Sequence, residues 1–361
     1  MNKNAQKQTE RQLIILAIIA VVFLVGVIVF VVNRDKIFKD AGASTGNTSE
    51  LSTDSDNTQN IPGTEESEGT EELEDTEDTE DAKVTEGTEN NTPSEEDKPS
   101  APVDPNPDMY STESGYTVYD PENTRGLSTE KVPYGFGFAT NEEPPQLSID
   151  QQKRFDNMEG VKALSLDIKT TEKVIYLTFD CGYEYENNTA EILDVLKQKN
   201  VKAAFFCTLD FIQDCPEKVQ RMIDEGHIVG NHSTTHPVFP DITRNKMAKE
   251  LYGVHKYMLD NYGYECKYFR FPTGAYSHSA LELCTSVGYR SVFWSNAYDD
   301  WDTKNQKGYD YAFDKVTSRI HPGMVILLHA VSDDNINILP DFIDYAQAKG
   351  YKFVTLDDYA W

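Results

Sequence analysis

The hydrophobic pattern divides the chain into three stretches. Leu13 to Val32 is an apolar run without a single charge. At about 1.5 Å per residue, a helix over that run would span the ~30 Å hydrocarbon core of a bilayer. From residue 41 to 109 large apolar residues almost vanish, and no periodicity predicts a helix or a strand. From Val174 onward short apolar runs alternate with segments of helical spacing. Val174–Phe179, Lys202–Cys207, Ile228–Gly230, Tyr268–Arg270, Ser291–Trp294, Met324–Leu328 and Lys352–Val354 predict seven short buried strands. Between them Asn188–Gln198, Pro216–Glu225, Lys246–Tyr262, Ser279–Val287, Tyr311–Ile320 and Ile336–Lys349 predict helices. Pro216 opens the second helix, where its missing N–H removes no hydrogen bond. This alternation predicts an α/β fold with a parallel sheet and helical crossovers. About seven units in one domain predict a distorted (β/α) barrel, closed or nearly closed.

Charge sharpens the division. The 361 residues hold 33 Lys and Arg against 61 Asp and Glu, a net charge of −28. Residues 1–40 carry +3, residues 41–109 carry −19, and residues 110–361 carry −12. Most of the negative charge therefore sits where no core can form. The expected organisation is a cytoplasmic tail and signal-anchor helix in 1–40, with the helix at 13–32. A disordered, acidic, Thr/Glu-rich linker follows over 41–109, then a folded domain over 110–361 with an N-terminal extension at 110–173. The apolar run exceeds the ~7–15 residues of a cleaved signal's core, so it reads as a retained anchor. Lys3, Lys7 and Arg11 precede it and Arg34, Lys36 and Lys39 follow it, so loop charge leaves its orientation nearly tied. As a coil the linker would span roughly 45 Å, and more when its like charges repel. The acidic balance excludes general nucleic-acid binding, which needs a basic footprint. With 39% hydrophobic and 11% aromatic residues the chain can build a core, which excludes wholesale disorder. Five cysteines, with no CxxC pair, exclude a zinc ribbon and leave a Cys207–Cys215 bridge open.

In a (β/α) barrel, chemistry gathers at the C-terminal ends of the strands. Asp180 and Cys181 follow the first predicted strand, and His232 and His236 the third. Arg270 ends the fourth, Asp300 and Trp301 follow the fifth, and His329 follows the sixth. Each residue alone has an ordinary alternative: a surface histidine pair, a turn-capping aspartate, an ion-paired arginine, a core histidine. Five strand ends carrying reactive groups on one face favour a catalytic site over surface decoration.

At these residues the chain resembles the polysaccharide deacetylases of carbohydrate esterase family four, the NodB homology domain. The resemblance rests on Thr178-Phe-Asp-Cys181, His232-Ser-Thr-Thr-His236, Arg270-Phe-Pro-Thr-Gly274, Asp300-Trp301 and Leu327-Leu-His329, and covers roughly Tyr134 to Asp358. Within the family it is most similar to the delta-lactam-biosynthetic peptidoglycan deacetylases of spore formers. That similarity rests on Tyr134-Gly-Phe-Gly-Phe with Glu143-Pro-Pro145, Gly182-Tyr-Glu184, and Glu225-Gly-His-Ile-Val-Gly-Asn-His232. The branch removes acetyl from N-acetylmuramic acid that has lost its peptide.

The resemblance implies a set of roles. Asp180 would be the general base on water, with Arg270 holding it ionised. His329 would protonate the leaving amine, steadied by Asp300. His232, His236 and Cys181 would hold a divalent metal ion. Thr273 would contribute a backbone N–H near the oxyanion, and Trp301 and Leu327 would shape the acetyl pocket. Cys181 departs from the family, where a second Asp commonly stands. It either ligates as thiolate, which favours Zn2+, or leaves a two-histidine site. Thr273 also replaces a bulkier residue. The implied partners are peptidoglycan glycan strands and, through Leu13–Val32, a membrane, with no nucleic acid and a monomeric chain. A wall substrate would put the N-terminus inside and the catalytic domain on the cell-wall side. Two other functions are compatible with the chain: deacetylation of N-acetylglucosamine in peptidoglycan or chitin-like oligosaccharides, and a non-catalytic wall-binding module.

Overall fold

A computed structural model describes residues 110–361. The apolar run at 13–32 and the acidic segment at 41–109 lie outside the described residues. Among those described, no helix is long and apolar enough to cross a membrane. The extension opens with a small antiparallel pair, β1 (Tyr110–Ser111) and β2 (Val118–Tyr119), then α1 (Gln146–Asp156) and β3 (Ala163–Leu164). The alternating series follows: β4 (Val174–Cys181), α2 (Asn188–Lys199), β5 (Ala204–Cys207), α3 (Leu209–Asp214), α4 (Pro216–Asp224) and β6 (Ile228–Asn231). Then come α5 (Arg244–Tyr262), β7 (Tyr268–Phe269), α6 (His278–Ser286) and β8 (Arg290–Val292). The last elements are α7 (Tyr309–Thr317), β9 (Met324–His329), α8 (Asp333–Ala348) and β10 (Lys352–Val354).

The named strands of the main sheet are all parallel. β9 lies along one edge of β4, and β5, β6, β7, β8 and β3 follow in order from the other. The curl returns toward β9 through two isolated bridges, a parallel one between Asn296 and Ile326 and an antiparallel one between Leu166 and Met324. The pairing of β6 with β7 is also one residue deep, Asn231 with Phe269. The barrel is therefore nearly closed and distorted, as the alternation predicts. Two strands sit differently from the simple series. β3, absent from the sequence reading, adds an eighth strand beside β8. The last predicted strand, β10, does not widen the ring but pairs only with the start of β4, at Val174 to Tyr176.

Strand alternation sorts the side chains into two layers. Val174, Tyr176, Ala204, Phe206, Ile228, Tyr268 and Val325 fill one apolar cluster inside the curl. Ile175, Leu177, Phe179, Cys181, Phe205, Cys207 and Val229 belong to the larger one that packs beneath the helices. Every residue of β4 is buried, which matches its unbroken apolar run. The extension is stitched to α5 and α6. Val132 bridges Tyr276, and Glu282 accepts from Arg244 at 2.7 Å and Arg125 at 2.8 Å.

Candidate active site

Register brings the base and acid candidates together before any side chain is considered. β4 and β9 run side by side with Thr178 opposite Leu327 and Asp180 opposite His329. Asp180 is then fixed by Arg270. Nη1 donates to Asp180 Oδ1 at 2.8 Å, Nη2 to Thr178 Oγ1 at 2.8 Å, and Nε to the Val292 carbonyl at 3.1 Å. Thr178 spends its own proton on the Ile326 carbonyl, so a lone pair meets the guanidinium. The guanidinium lies 4.2 Å above the Phe206 ring. Gly230 makes room for that ring, because a Cβ there would stand 2.5 Å from Phe206 Cδ1. A buried, unpaired guanidinium would be costly, so these partners hold Arg270 in one pose. Burial alone would raise the Asp180 pKa. The Arg270 charge outweighs burial and holds the carboxyl below its ordinary value.

The histidine loop follows β6. His232 Nδ1 lies 2.9 Å from the Arg270 carbonyl. A carbonyl only accepts, so Nδ1 carries the proton and Nε2 is left with a bare lone pair. Burial pushes the His232 pKa down to about 4, so the ring is neutral at pH 7. Its Nε2 faces Asp180 Oδ2 at 3.6 Å. Two acceptors facing each other favour a cation between them. The His236 ring stands 4.9 Å from that of His232, edge to face, at the exposed side. Ser233 and His236 both take left-handed φ, +73° and +56°, so the loop is bent twice by residues other than glycine. Glu250 on α5 holds the bend, accepting from Thr235 N at 2.7 Å and Thr235 Oγ1 at 2.8 Å.

His232, His236 and the Asp180 carboxylate are donors of the right chemistry for a divalent ion. Cys181 is not one of this group. As an odd position of β4 it points under the helices, opposite Cys207, and is fully buried. Burial and the neighbouring Cys207 push its thiol well above the ordinary range, so it stays protonated. The expected three-ligand set with Cys181 is therefore not assembled. Among the described residues no three His, Cys, Asp or Glu side chains are gathered at metal-holding distances. All five cysteines are free and buried, so the Cys207–Cys215 bridge is not formed.

His329 ends β9. Its Nδ1 lies 2.7 Å from Asp300 Oδ1, and its backbone N donates to Asp300 Oδ2 at 2.8 Å. Burial alone would lower the His329 pKa. The Asp300 charge and hydrogen bond outweigh burial and raise it above the ordinary histidine value. The site thus sets an ionised carboxylate beside an imidazole of raised proton affinity on the adjacent strand, with the neutral His232 ring next to the carboxylate. A profile of the polysaccharide deacetylase family matches residues 167–292. The peptidoglycan-N-acetylmuramic acid deacetylase PdaA of Bacillus subtilis is 41% identical over 234 residues, 64% of this chain and 87% of that protein. The chain belongs to the polysaccharide deacetylase family.

Solved structures agree with this. The Bacillus subtilis PdaA structure, a family 4 carbohydrate esterase, matches with a TM-score of 0.61 and 39% identity, over 64% of this chain and 97% of that one. A family 4 carbohydrate esterase from Bacillus anthracis matches with a TM-score of 0.52 and 38% identity, over 64% and 97% respectively. In this polysaccharide deacetylase the three expected substrate contacts stand close in sequence to Arg270, Asp300 and His329. Leu327 is buried two residues before His329, on the same face of β9. Trp301, directly after Asp300, is 40% exposed. Thr273 is exposed on the turn after Arg270 and takes a left-handed φ of +59°.

Residues that the sequence did not reveal pack around the candidate site. Asn335 donates to Asp300 Oδ2 at 2.6 Å, and Tyr298 donates to Asn335 Oδ1 at 2.6 Å. Glu250 and Gly230 support the histidine loop and the Arg270 floor. Of these only Gly230 stands in a motif at a strand end, and nothing local marks it as the space for the Phe206 ring. The one available signal was Ser332 ahead of the last helix, a capping residue that places Asp334 and Asn335 in a first turn directly after His329.

Proposed function

We propose that this polysaccharide deacetylase hydrolyses the N-acetyl group of peptidoglycan N-acetylmuramic acid, with metal assistance, at the outer face of the membrane. The observation that carries the reading is the register pairing of Asp180 with His329, each locked by its own partner, Arg270 or Asp300. An acetamide is a poor electrophile and water a weak nucleophile at neutral pH. Asp180, ionised and oriented by Arg270, takes a proton from the attacking water as its oxygen bonds to the acetyl carbon. The C–N bond then breaks, and His329 delivers its Nε2 proton to the departing amine while Asp300 stabilises the imidazolium. Acetate and a free amino sugar are the products. Thr273 borders the carbonyl oxygen, and Leu327 and Trp301 enclose the acetyl methyl. His232 and His236, with the Asp180 carboxylate opposite, would hold a divalent ion. Bound there, such an ion polarises the amide carbonyl and acidifies water. With the Cys181 thiol turned away, the donor set is nitrogen and oxygen, which suits Zn2+ without requiring it.

N-acetylmuramic acid as the sugar is supported by the 41% identity to PdaA over most of that protein. A peptidoglycan-N-acetylglucosamine deacetylase of Bacillus cereus is also similar, 32% identical over 186 residues, 50% of this chain and 66% of that protein. Acetate release from peptide-free glycan, with products separated by mass spectrometry, distinguishes the two sugars. Muramic acid product is expected. Glucosamine product alone would reassign the sugar, and no acetate from either glycan with metal supplied would sink the reading. The anchor is supported by the apolar run at 13–32. The full chain is expected in the membrane fraction, accessible to protease added outside the cell.

A further inference from the structure

The acid half of the site is held by more than the Asp300–His329 pair. The Asp300 carboxylate takes three hydrogen bonds. His329 Nδ1 meets Oδ1 at 2.7 Å, while His329 backbone N at 2.8 Å and Asn335 Nδ2 at 2.6 Å meet Oδ2. Asn335 Nδ2 also donates to the His329 carbonyl at 3.0 Å. A carboxylate and a carbonyl can only accept, so the amide must turn its NH2 toward them. The opposite end of the amide confirms that orientation, because Asn335 Oδ1 accepts the Tyr298 hydroxyl at 2.6 Å. Asn335 is fully buried and Tyr298 nearly so. Neither side chain touches the base.

The first turn of α8 also carries the loop that follows Asp300. Ser332 caps the helix by accepting from Asn335 N, and it donates to Gln306 Oε1 at 3.1 Å. Asp334 Oδ2 accepts from Lys307 N at 2.7 Å and Gly308 N at 2.9 Å. One helical turn therefore fixes both Asp300 and the segment running on from Trp301.

We propose that Asn335, oriented by Tyr298, is the positioning residue of the acid: it locks the Asp300 carboxylate so that His329 keeps its proton on Nδ1 and presents Nε2 to the departing amine. The inference rests on the reading of His329 as the acid. The charged groups around His329 are Asp300 after β8, Asp180 on β4 and Arg270 after β7. Asp334, the next residue to Asn335, faces Lys307 and Gly308 instead. Replacing Asn335 by leucine leaves all of these charges in place and removes one donor from Asp300. With fewer donors the carboxylate keeps more of its charge for the imidazole, so the His329 proton is held more tightly. The same loss frees the carboxylate to rotate, which misaims the ring.

The test is the full chain with Asn335→Leu, Tyr298→Phe and Asp300→Asn, each followed by NMR titration of the His329 imidazole and by kcat and KM for acetate release across pH. A lost hydrogen bond to a charged group corresponds to about a 10- to 100-fold change. Asn335→Leu is expected to lower kcat by that factor with KM nearly unchanged, and to move the His329 titration to higher pH. Tyr298→Phe should do the same more weakly. A folded Asn335→Leu protein with wild-type kcat and an unmoved His329 titration overturns the proposal. If Asn335→Leu does not fold, the same null result in Tyr298→Phe overturns it. Asp300→Asn separates the two levels: full activity there rejects His329 and Asp300 as the acid pair. Loss there with no effect at Asn335 or Tyr298 rejects only the positioning role.

Discussion

His329 is the residue whose titration the site most depends on. Its pKa is raised by Asp300 against the effect of burial, and the proposed acid role needs the protonated ring. Activity is therefore kept below that pKa and lost as pH rises through it. Asp300→Asn removes the raising charge, so the alkaline limb of kcat should move to lower pH, and kcat should fall about 10²- to 10⁴-fold. An unmoved limb would separate the limb from His329. Cys181 gives the opposite expectation. Because its thiol is packed under the helices, Cys181→Ala should leave metal stoichiometry and turnover unchanged and cost about 1 kcal/mol of stability. Metal loss in that variant, measured by elemental analysis, would restore the cysteine to the ligand set.

At the scale of elements, the site depends on close approaches between strands and helices. Gly230 on β6 lets the Phe206 ring of β5 lie beneath Arg270. Gly230→Ala would force the ring to shift and is expected to destabilise the protein by about 1–3 kcal/mol and to loosen the Arg270–Asp180 pair. The check is the denaturation midpoint together with kcat. Wild-type values for both would mean that the floor is not needed. Gly253 on α5 plays a related part, since a Cβ there would stand 2.3 Å from Thr234 Oγ1 in the histidine loop. Gly253→Ala should weaken metal binding at His232 and His236, read by titration calorimetry, more than it changes the melting temperature.

At the scale of the whole molecule, His227 and His321 are buried among the described residues, away from the candidate site. Burial pushes His227 and His321 down to about 4. His321 donates from Nδ1 to the Arg319 carbonyl at 2.8 Å and accepts at Nε2 from Ser295 at 2.9 Å, a pair that protonation breaks. The folded state binds fewer protons than the unfolded chain between pH 4 and 6.5. Stability is therefore whole above about 6.5 and falls as pH drops toward 4, by up to about 3 kcal/mol per histidine. Urea midpoints at pH 7 and pH 5 should show the fall, and His321→Gln should flatten it. An equally steep slope in that variant would move the cause elsewhere.

The sequence by itself determined the alternation of parallel strands with helices and the rim that carries the candidate site. Short apolar runs separated by helical spacing leave little choice except parallel strands with crossovers, and parallel strands put their following residues on one rim. Asp180, His232, Arg270, Asp300 and His329 were legible for that reason. Only the tertiary structure decided which of them meet. Strand parity sends Cys181 under the helices while Asp180, one residue earlier, faces the site. β10 shows the same limit, because a three-residue apolar run does not say which edge it will pair with. Asn335, Tyr298 and Glu250 act across 15 to 37 positions of sequence, and Gly230 acts through the space that a missing Cβ leaves. Such contacts have no periodicity and no local motif. They exist only once the barrel has curled and brought the first turn of α8 against the end of β9.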